Sequence, residues 1–553
     1  MSSTPGASSL GDQSYAIGVD FGTESGRTVL LDLSNGEELA SGAVRYPHGV
    51  IDRELPHTGE RLPPDWALQD PDDWVLVLET GIPHVVAEAG IDPERVVGLG
   101  IDFTSCTVLP VDSDGTPLCK YEHWRGHRHA WPKLWKHHAA QPVADRLNDV
   151  ALERGEEFLG RYGGRISSEW YFPKLIELWL EDRELYDEAR GFVEATDWIV
   201  WYLTGLERRQ SCTAGYKALW SPDDGLPSVE YFDAAYPGFD TPAEKLGRLF
   251  VPLGTLAGTL RPEVAREIGL PASVSVAVGN VDSFVSVPGC GVEQPGTYVT
   301  VVGTSICDMV VHPHEIRLPG ITGVVRDGIL PGLYGYEAGQ VAVGDMLAWF
   351  VDTLAPPGAS FETLEEAATK IEPGETGMVV LDWWNGNRSI LADAALSGVI
   401  CGLTLQTSAE HIYRALLESI AFGNRRIIEN FSEHGLLVGE IVACGGVAER
   451  SPLLMQLFAD TSGLAVRVPG SSEIPARGAA LFGAVAAGAF RDIGAAIEAT
   501  RPSISRSYVP DPEAKATYDR VYAIYRTLYE LLGRSEVELL HELKRIRNER
   551  SPT

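Results

Sequence analysis

Three glycine turns and one strand end carry the residues best suited to chemistry. The stretch "GVDFGTESGR", residues 18–27, closes an apolar run with Asp20 and then sets Gly22 and Thr23 ahead of a second apolar run. "VVGTS", residues 301–305, repeats that order with Gly303, Thr304 and Ser305, and "ACGG", residues 443–446, adds Gly445 and Gly446. Such turns present backbone N–H groups to phosphate oxygens and let a backbone approach a ligand closely. Asp20 beside one of them suits Mg²⁺, which takes few protein carboxylates and keeps much of its water; an Asp there also serves simply to form a turn. The strand end is "GNVDSF", residues 279–284, with Asp282 following an apolar run. A carboxylate in that place accepts the proton of an alcohol as a phosphoryl group arrives, or else caps the next helix. Arg27 either offsets phosphate charge or is a solvated strand-start arginine, and it stays outside the core set.

These residues need strands that end at a common cleft. "YAIGVD" and "RTVLLDL" read as two strands about a turn, and "RVVGLGID" with "TVLPVDSDG" reads as another strand pair. Between residues 130 and 205 the spacing turns helical, in "FPKLIELWLEDRELYDEA" and again in "DWIVWYLTG". "GTYVTVVGTSICDMVV" then repeats the opening strand, turn and strand about half a chain later. Two similarly built domains are the simplest account, each opening with a hairpin whose turn faces the cleft. Further on, "HIYRALLESIAFGNRRIIENF" predicts a long amphipathic helix and "RGAALFGAVAAGAF" a small-residue helix suited to close packing near the cleft. The final pattern places Tyr518, Tyr522, Tyr525 and Leu528 on one helical face for packing against the second domain.

The totals bound the function. A chain of 553 residues exceeds what one hydrophobic core usually supports, which predicts two domains. Lys plus Arg number 45 against 77 Asp plus Glu, a net charge of −32 that repels nucleic-acid backbones and anionic membranes. A phosphate ligand must therefore meet local compensation, for which Mg²⁺ is the natural choice. The 7 cysteines are scattered and never spaced C-x-x-C, which argues against a disulfide framework or a zinc site. His137 and His138 are read as pointing apart on a helix and are not taken as metal ligands. Trp383 and Trp384 either stack on a ligand or pack, and stay outside the site. No G-x-x-x-x-G-K-[ST] stretch occurs, and "GLGIDF" lacks the third glycine of G-x-G-x-x-G. The first residues have neither a basic region nor an apolar core, and no apolar run is membrane-spanning in length. The expectation is a cytoplasmic protein with a disordered leader over residues 1–13.

The order "VDFGTESG", "VVGTS", "ACGG" resembles the actin, Hsp70 and sugar-kinase ATPase fold, and within it the FGGY carbohydrate kinases. "GVICGLTLQTSAEHIYRALLE", residues 398–418, is similar to the C-terminal signature of that family. "IDFTSCT", "LWKHHAAQ", "GGRISSEW", "CTAGYKALW", "GNVDSFVSVPG", "GYEAGQ" and "DWWNGNRS" resemble the branch that phosphorylates L-ribulose in arabinose breakdown. The resemblance spans nearly the whole chain. It implies an α/β protein of two actin-like (ribonuclease H-like) ATPase domains flanking a cleft. Residues 14–291 would form the N-terminal domain, with the sugar site, the base and a helical insert near 125–210; residues 292–553 would bind nucleotide and end in helices.

The resemblance also assigns roles. Asp282 falls on the family's catalytic base and also touches the sugar; Ser105, Lys217 and Glu337 fall on sugar contacts. The alternative for Lys217 is a surface lysine, against which its apolar neighbours argue, and for Glu337 a salt-bridge partner. Gly22, Thr23, Gly303, Thr304 and Ser305 would give donors to the phosphates of ATP, Gly445 and Gly446 would admit the adenosine, and Asp20 would hold Mg²⁺. The expected reaction converts L-ribulose and ATP to L-ribulose 5-phosphate and ADP, with domain closure excluding water. Two alternatives stand: a related kinase of D-ribulose, xylulose or a polyol, and an actin-like ATP switch without sugar chemistry. No nucleic-acid or membrane partner is expected; a homodimer is compatible with the sequence, which does not fix the oligomeric state.

Overall fold

The computed structural model describes residues 13–247 and 249–550, so the expected leader lies outside the described residues except for Gln13. Two seven-stranded sheets organise the chain. The first contains β1 (Tyr15–Phe21), β2 (Ser25–Asp32), β3 (Glu38–Arg45), β4 (Val96–Phe103), β5 (Leu256–Thr259), β6 (Ser275–Ala277) and β7 (Asn280–Val281). Its order is β3-β2-β1-β4-β6-β5, with β7 also on β4. The second contains β8 (Thr297–Val302), β9 (Ile306–His312), β10 (Gly323–Arg326), β11 (Tyr334–Gln340), β12 (Glu440–Cys444), β13 (Val466–Pro469) and β14 (Ile504–Tyr508), in the order β10-β11-β9-β8-β12-β13-β14. Each opens with an antiparallel hairpin, β1 with β2 and β8 with β9, and continues through a parallel neighbour, β4 or β12. The repeated strand-turn-strand pattern is thus a repeated topology.

Strand periodicity decides which side chains meet. In β1, Tyr15, Ile17, Val19 and Phe21 enter one core together with Leu99, Ile101 and Phe103 of β4. The opposite faces read Ala16, Gly18, Asp20 and Gly98, Gly100, Asp102. Against these glycines lies helix α4 (Ile474–Ala486), numbered after α1 (Tyr171–Glu181), α2 (Asp282–Gly289) and α3 (Ala409–Glu433). A Cβ on Gly18 would stand 1.7 Å from the Ala476 carbonyl oxygen, one on Gly100 1.8 Å from that of Ala479, and one on Gly98 2.2 Å from that of Gly483. Strand and helix therefore touch backbone to backbone. The small-residue helix packs as its composition suggested, yet onto the sheet built by the first half of the chain. A core shared by both sheets surrounds it, with Ala16 and Leu31 from the first, Val299, Met309 and Val442 from the second, and Phe284 of α2.

Three local expectations are corrected. Val108–Val111 does not pair with β4; it pairs antiparallel with Gly191–Glu194, because both edges of β4 are already taken by β1 and by β6 with β7. His137 and His138 are not helical: the His137 N–H closes a single turn onto Leu134, while the Leu134 N–H bonds Ala67 and the His138 N–H bonds Asp65, so no helical ladder continues. His137 is buried and His138 exposed all the same. On the last long helix, α5 (Pro512–Glu530), Tyr518, Tyr522, Tyr525 and Tyr529 form the buried row, with Leu528 at its margin. The helical segment has a core of its own, and that core reaches beyond 125–210 to recruit Ile51, Leu55 and Leu62 on one side and Tyr231, Phe239 and Leu246 on the other. No helix among the described residues is long and apolar enough to cross a membrane.

Gly100→Ala forces a methyl group into the Ala479 carbonyl, overpacking that costs about 1–3 kcal/mol. Scanning calorimetry should show a lower melting midpoint by several degrees and assays a loss of activity. Gly439→Ala, whose nearest neighbour would be 3.7 Å away, should leave both unchanged. Equal midpoints for the two variants would refute backbone-to-backbone packing at Gly100.

Candidate active site

Three carboxyls gather where the strands of the first sheet end. Asp20 on β1 and Asp102 on β4 are register partners, and Asn280 of β7 pairs with Asp102 from the other side. Asp282 follows as the first residue of α2. Asp102 is fully buried, and neither of its carboxyl oxygens meets a hydrogen-bond donor of the protein. Burial, and then the charges of Asp20 and Asp282, push its carboxyl well above the ordinary range. Burial raises Asp20 as well, with Arg27 opposing it. Asp282 is pushed up to about 7 by burial first and by Asp20 next, while the Ser283 N–H, 2.6 Å from its Oδ1, pulls the other way. A carboxylate poised near neutrality is a competent general base.

Arg27 stands beside this group, its guanidinium 3.3 Å from Asp20 and 3.5 Å from Glu473. The orphaned Asp102 oxygens next to Asp20 make the residues present fit a divalent cation. Among the described residues no three carboxylate, histidine or cysteine side chains are grouped as a direct metal-binding set. A cation here would be held largely through its own water, as Mg²⁺ commonly is.

The second and third glycine turns open onto a cavity of about 1190 Å³, lined by Gly303, Thr304 and Gly446 with Arg27, and by Leu347, Tyr413 and Leu457. Its polar lining suits phosphates and its apolar side chains a flat base. The two glycines expected as donors are corrected: the Gly22 N–H is spent on Ser25 O at 3.0 Å and the Gly303 N–H on Ser305 O at 2.9 Å. Those bonds close the turns, which leaves the Thr23, Thr304 and Ser305 amides for a ligand. Gly445 adopts φ +93° with Val302 O only 2.7 Å from where a Cβ would be, so the turn itself requires glycine.

On the far side of Asp282, Lys217 ends the helix Ser211–Lys217 and meets Glu337 of β11, Nζ to Oε2 at 2.8 Å. Both are buried, at 4% and 5% exposure, so neither is a surface residue. Burial works against the Lys217 charge, and Glu337 more than offsets it, holding the proton above the ordinary lysine value. Lys217 and Glu337 are both close enough to act on the Asp282 carboxyl, and Lys217 on Cys106, which follows Ser105. Lys217 and Glu337 thus lie near Asp282, and Lys217 also near the residue that follows Ser105. Trp383 is buried against Tyr529, and Trp384 packs on Trp349, so both are packing residues.

Several neighbours escaped the sequence reading. Asp102 had a legible signal, since "GIDF" echoes "GVDF"; the two phenylalanines, Phe21 and Phe103, stack at 5.2 Å. Arg388 of "NGNRS" faces Glu169 of "SSEW" at 3.7 Å, and its charge is felt at Glu337 and Cys106. Only the fold brings those segments together.

Comparison with known proteins fits this geometry. Residues 15–289 match the N-terminal domain, and residues 298–487 the C-terminal domain, of the FGGY family of carbohydrate kinases. A ribulokinase of Geobacillus thermodenitrificans is 48% identical over 545 residues, covering 96% of both chains. A ribulokinase of Mycolicibacterium smegmatis is 44% identical over 550 residues, covering 97% of each. Among solved structures, a xylulose kinase from Rhodospirillum rubrum superposes with a TM-score of 0.78 at 23% identity, covering 95% of this chain and 100% of that one. Plasmodium falciparum glycerol kinase with ADP superposes at 0.76, with 15% identity and coverage of 95% and 99%. Paired hairpins about one cleft, matches to both domains and full-length kinship agree: the chain belongs to the FGGY family of carbohydrate kinases.

Proposed function

We propose that the protein transfers the γ-phosphoryl group of ATP to O5 of L-ribulose, giving L-ribulose 5-phosphate and ADP. The observation that carries this reading is the meeting of Asp282 with the buried Lys217–Glu337 pair in a chain 48% identical, nearly end to end, to a protein named ribulokinase. Asp282 accepts the O5 proton as the phosphoryl group arrives in line. Lys217 donates to one sugar hydroxyl and Glu337 accepts from a neighbour, with Ser105 as a further contact. Their mutual compensation suits an uncharged polyol, which brings no charge of its own to balance.

The Thr23, Thr304 and Ser305 amides meet phosphate oxygens, with Gly445 and Gly446 beside the adenosine. Asp20, with Asp102 behind it, would hold Mg²⁺ through water. Bound Mg²⁺ supplies the positive charge that lets a polyphosphate enter an acid-lined cleft.

The first test is ADP release with Mg-ATP across L-ribulose, D-ribulose, D-xylulose, L-xylulose, ribitol and glycerol. L-ribulose should give the highest kcat/KM; a different preferred sugar would keep the mechanism and discard the substrate, and no sugar dependence would point to an ATP switch. In the same assay Asp282→Asn should lose about 10²–10⁴-fold in kcat, with ATP binding retained by calorimetry. Retained turnover would remove Asp282 from the role of base. Since the base works ionised, kcat/KM for the sugar should rise with pH through about 7, where burial and Asp20 set the Asp282 carboxyl. A profile that falls across that range contradicts the assignment.

Lys217→Met strands the Glu337 charge in a buried site, a loss of about 3–5 kcal/mol. The melting midpoint should drop and the sugar KM rise. Adding Glu337→Gln should restore the midpoint without restoring sugar affinity, whereas recovery of both would show that the pair only supports the fold.

A further inference from the structure

Lys174 is fully buried on α1, and its Nζ donates to the carbonyl oxygens of Cys106 at 2.6 Å and Leu134 at 2.8 Å. Both partners are carbonyls, while Glu194 and Glu169 act on the ammonium from a distance; burial pulls its proton affinity down to about 8. A buried ammonium with no carboxylate paired to it is costly to keep. Its two acceptors show what it holds.

Cys106 closes the turn after β4 directly beyond Ser105, and it adopts φ +63°, a left-handed conformation that non-glycine residues rarely take. The lysine grips the carbonyl of that strained residue. Leu134 precedes Trp135, whose indole N–H donates to Thr23 Oγ1 in the first phosphate turn at 3.0 Å. One turn along α1, Glu177 accepts from Lys133 Nζ at 2.6 Å and from His137 Nε2 at 2.8 Å, which fixes the same segment on both sides of Trp135. Gln69 ties the phosphate turn from another direction, its amide donating to Thr23 O at 2.8 Å. A continuous chain of polar contacts thus runs from the sugar-side turn through Lys174 and Trp135 to the phosphate turn.

We infer that Lys174 is a positioning residue, which locks the Thr104–Cys106 turn to the Trp135 segment and so fixes the separation between the bound sugar and the phosphate turn. It touches neither substrate; it sets where the turn that carries Ser105 stands relative to Thr23. This inference rests on the sugar-kinase reading and adds to it the residue that couples the two halves of the site.

The full-length wild type, Lys174→Met and Lys174→Gln are compared for ADP release with and without the pentulose that wild type uses best. Lys174→Met keeps length and removes every donor. Folded by circular dichroism, it should lose about 100-fold in sugar-dependent kcat/KM, the scale of a small misplacement of reacting groups, with the sugar KM raised. Its slow sugar-independent ADP release and its KM for ATP should stay within about twofold of wild type, because those need only the phosphate side. Lys174→Gln, with an amide donor at shorter reach, should recover part of the loss. Proportional loss of both rates, or a lowered melting midpoint with the sugar KM unchanged, would overturn the inference and leave Lys174 a structural residue. Should Lys174→Met fail to fold, the ratio of sugar-dependent to sugar-independent release in Lys174→Gln decides: a fall supports positioning, and an unchanged ratio overturns it. Wild type that turns over no pentulose would overturn the kinase reading, and the inference with it.

Discussion

Everything in the cleft depends on one helix lying backbone against backbone on two strands. Helices packed through side chains stand about 8–10 Å from their neighbours, but Gly18, Gly98 and Gly100 carry no Cβ, so α4 settles directly on β1 and β4. The carboxyls follow from that contact. Asp20 lies two residues beyond Gly18, and Asp102 two beyond Gly100, on the same faces and at the end where α4 no longer covers the strands. The same helix presents Gly478 to the Val285 carbonyl, whose oxygen a Cβ would meet at 2.0 Å, and so lies directly on α2, which begins with Asp282. Three acids thus take their positions from one element. That element comes from the second half of the chain, so the sheet of the first half is finished only when both halves have folded.

The electrostatics divide the cleft into two unlike ends. At the strand ends burial raises Asp20, Asp102 and Asp282, the Asp20 charge adds to it at Asp102 and Asp282, and Arg27, shared between Asp20 and Glu473, opposes it at Asp20. Such a group is short of positive charge, which is what a cation and a phosphate chain arriving together would supply. At the other end Lys217 and Glu337 cancel each other in a nearly water-free setting. An uncharged ligand rich in hydroxyls can exchange hydrogen bonds with that pair without disturbing the balance. Asp282 sits where the two ends meet, its carboxyl raised by burial and by Asp20 of the acid end and acted on by Lys217 and Glu337 of the other.

How much of this was legible in the sequence follows from how local each feature is. Period-two apolar runs and glycine turns are local, so both hairpins, Asp20 and Asp282 could be read directly. Register is not local: Asp102 becomes a neighbour of Asp20 only because β4 lies parallel to β1, and "GLGIDF" reads as a failed dinucleotide motif, whereas its glycines serve the approach of a helix. Lys217 and Glu337 are 120 residues apart, and no spacing rule reaches across that distance; family resemblance did. His137 and His138 look helical in composition, but Asp65 and Ala67 offer their backbones to that segment, and periodicity cannot register such a competitor.

The helical segment completes the division of labour. Its interior contains Lys133, His137, Lys174 and Glu177, all buried, where apolar residues of equal volume would often give a more stable core. Polar groups buried at that cost specify geometry: each bonds a particular carbonyl or carboxyl and tolerates few alternatives, whereas an apolar contact tolerates many. Lys174 holds the carbonyls of Cys106 and Leu134, while Lys133 and His137, on either side of Trp135, meet on Glu177. The phosphate side, by contrast, rests on glycines and main-chain amides at the ends of sheet strands, which need no side-chain precision beyond the strand register. The helical segment and the strand ends are therefore not independent: Glu337 stands on β11, Ser105 follows β4, and Trp135 bonds Thr23, so a change in one is felt in the other.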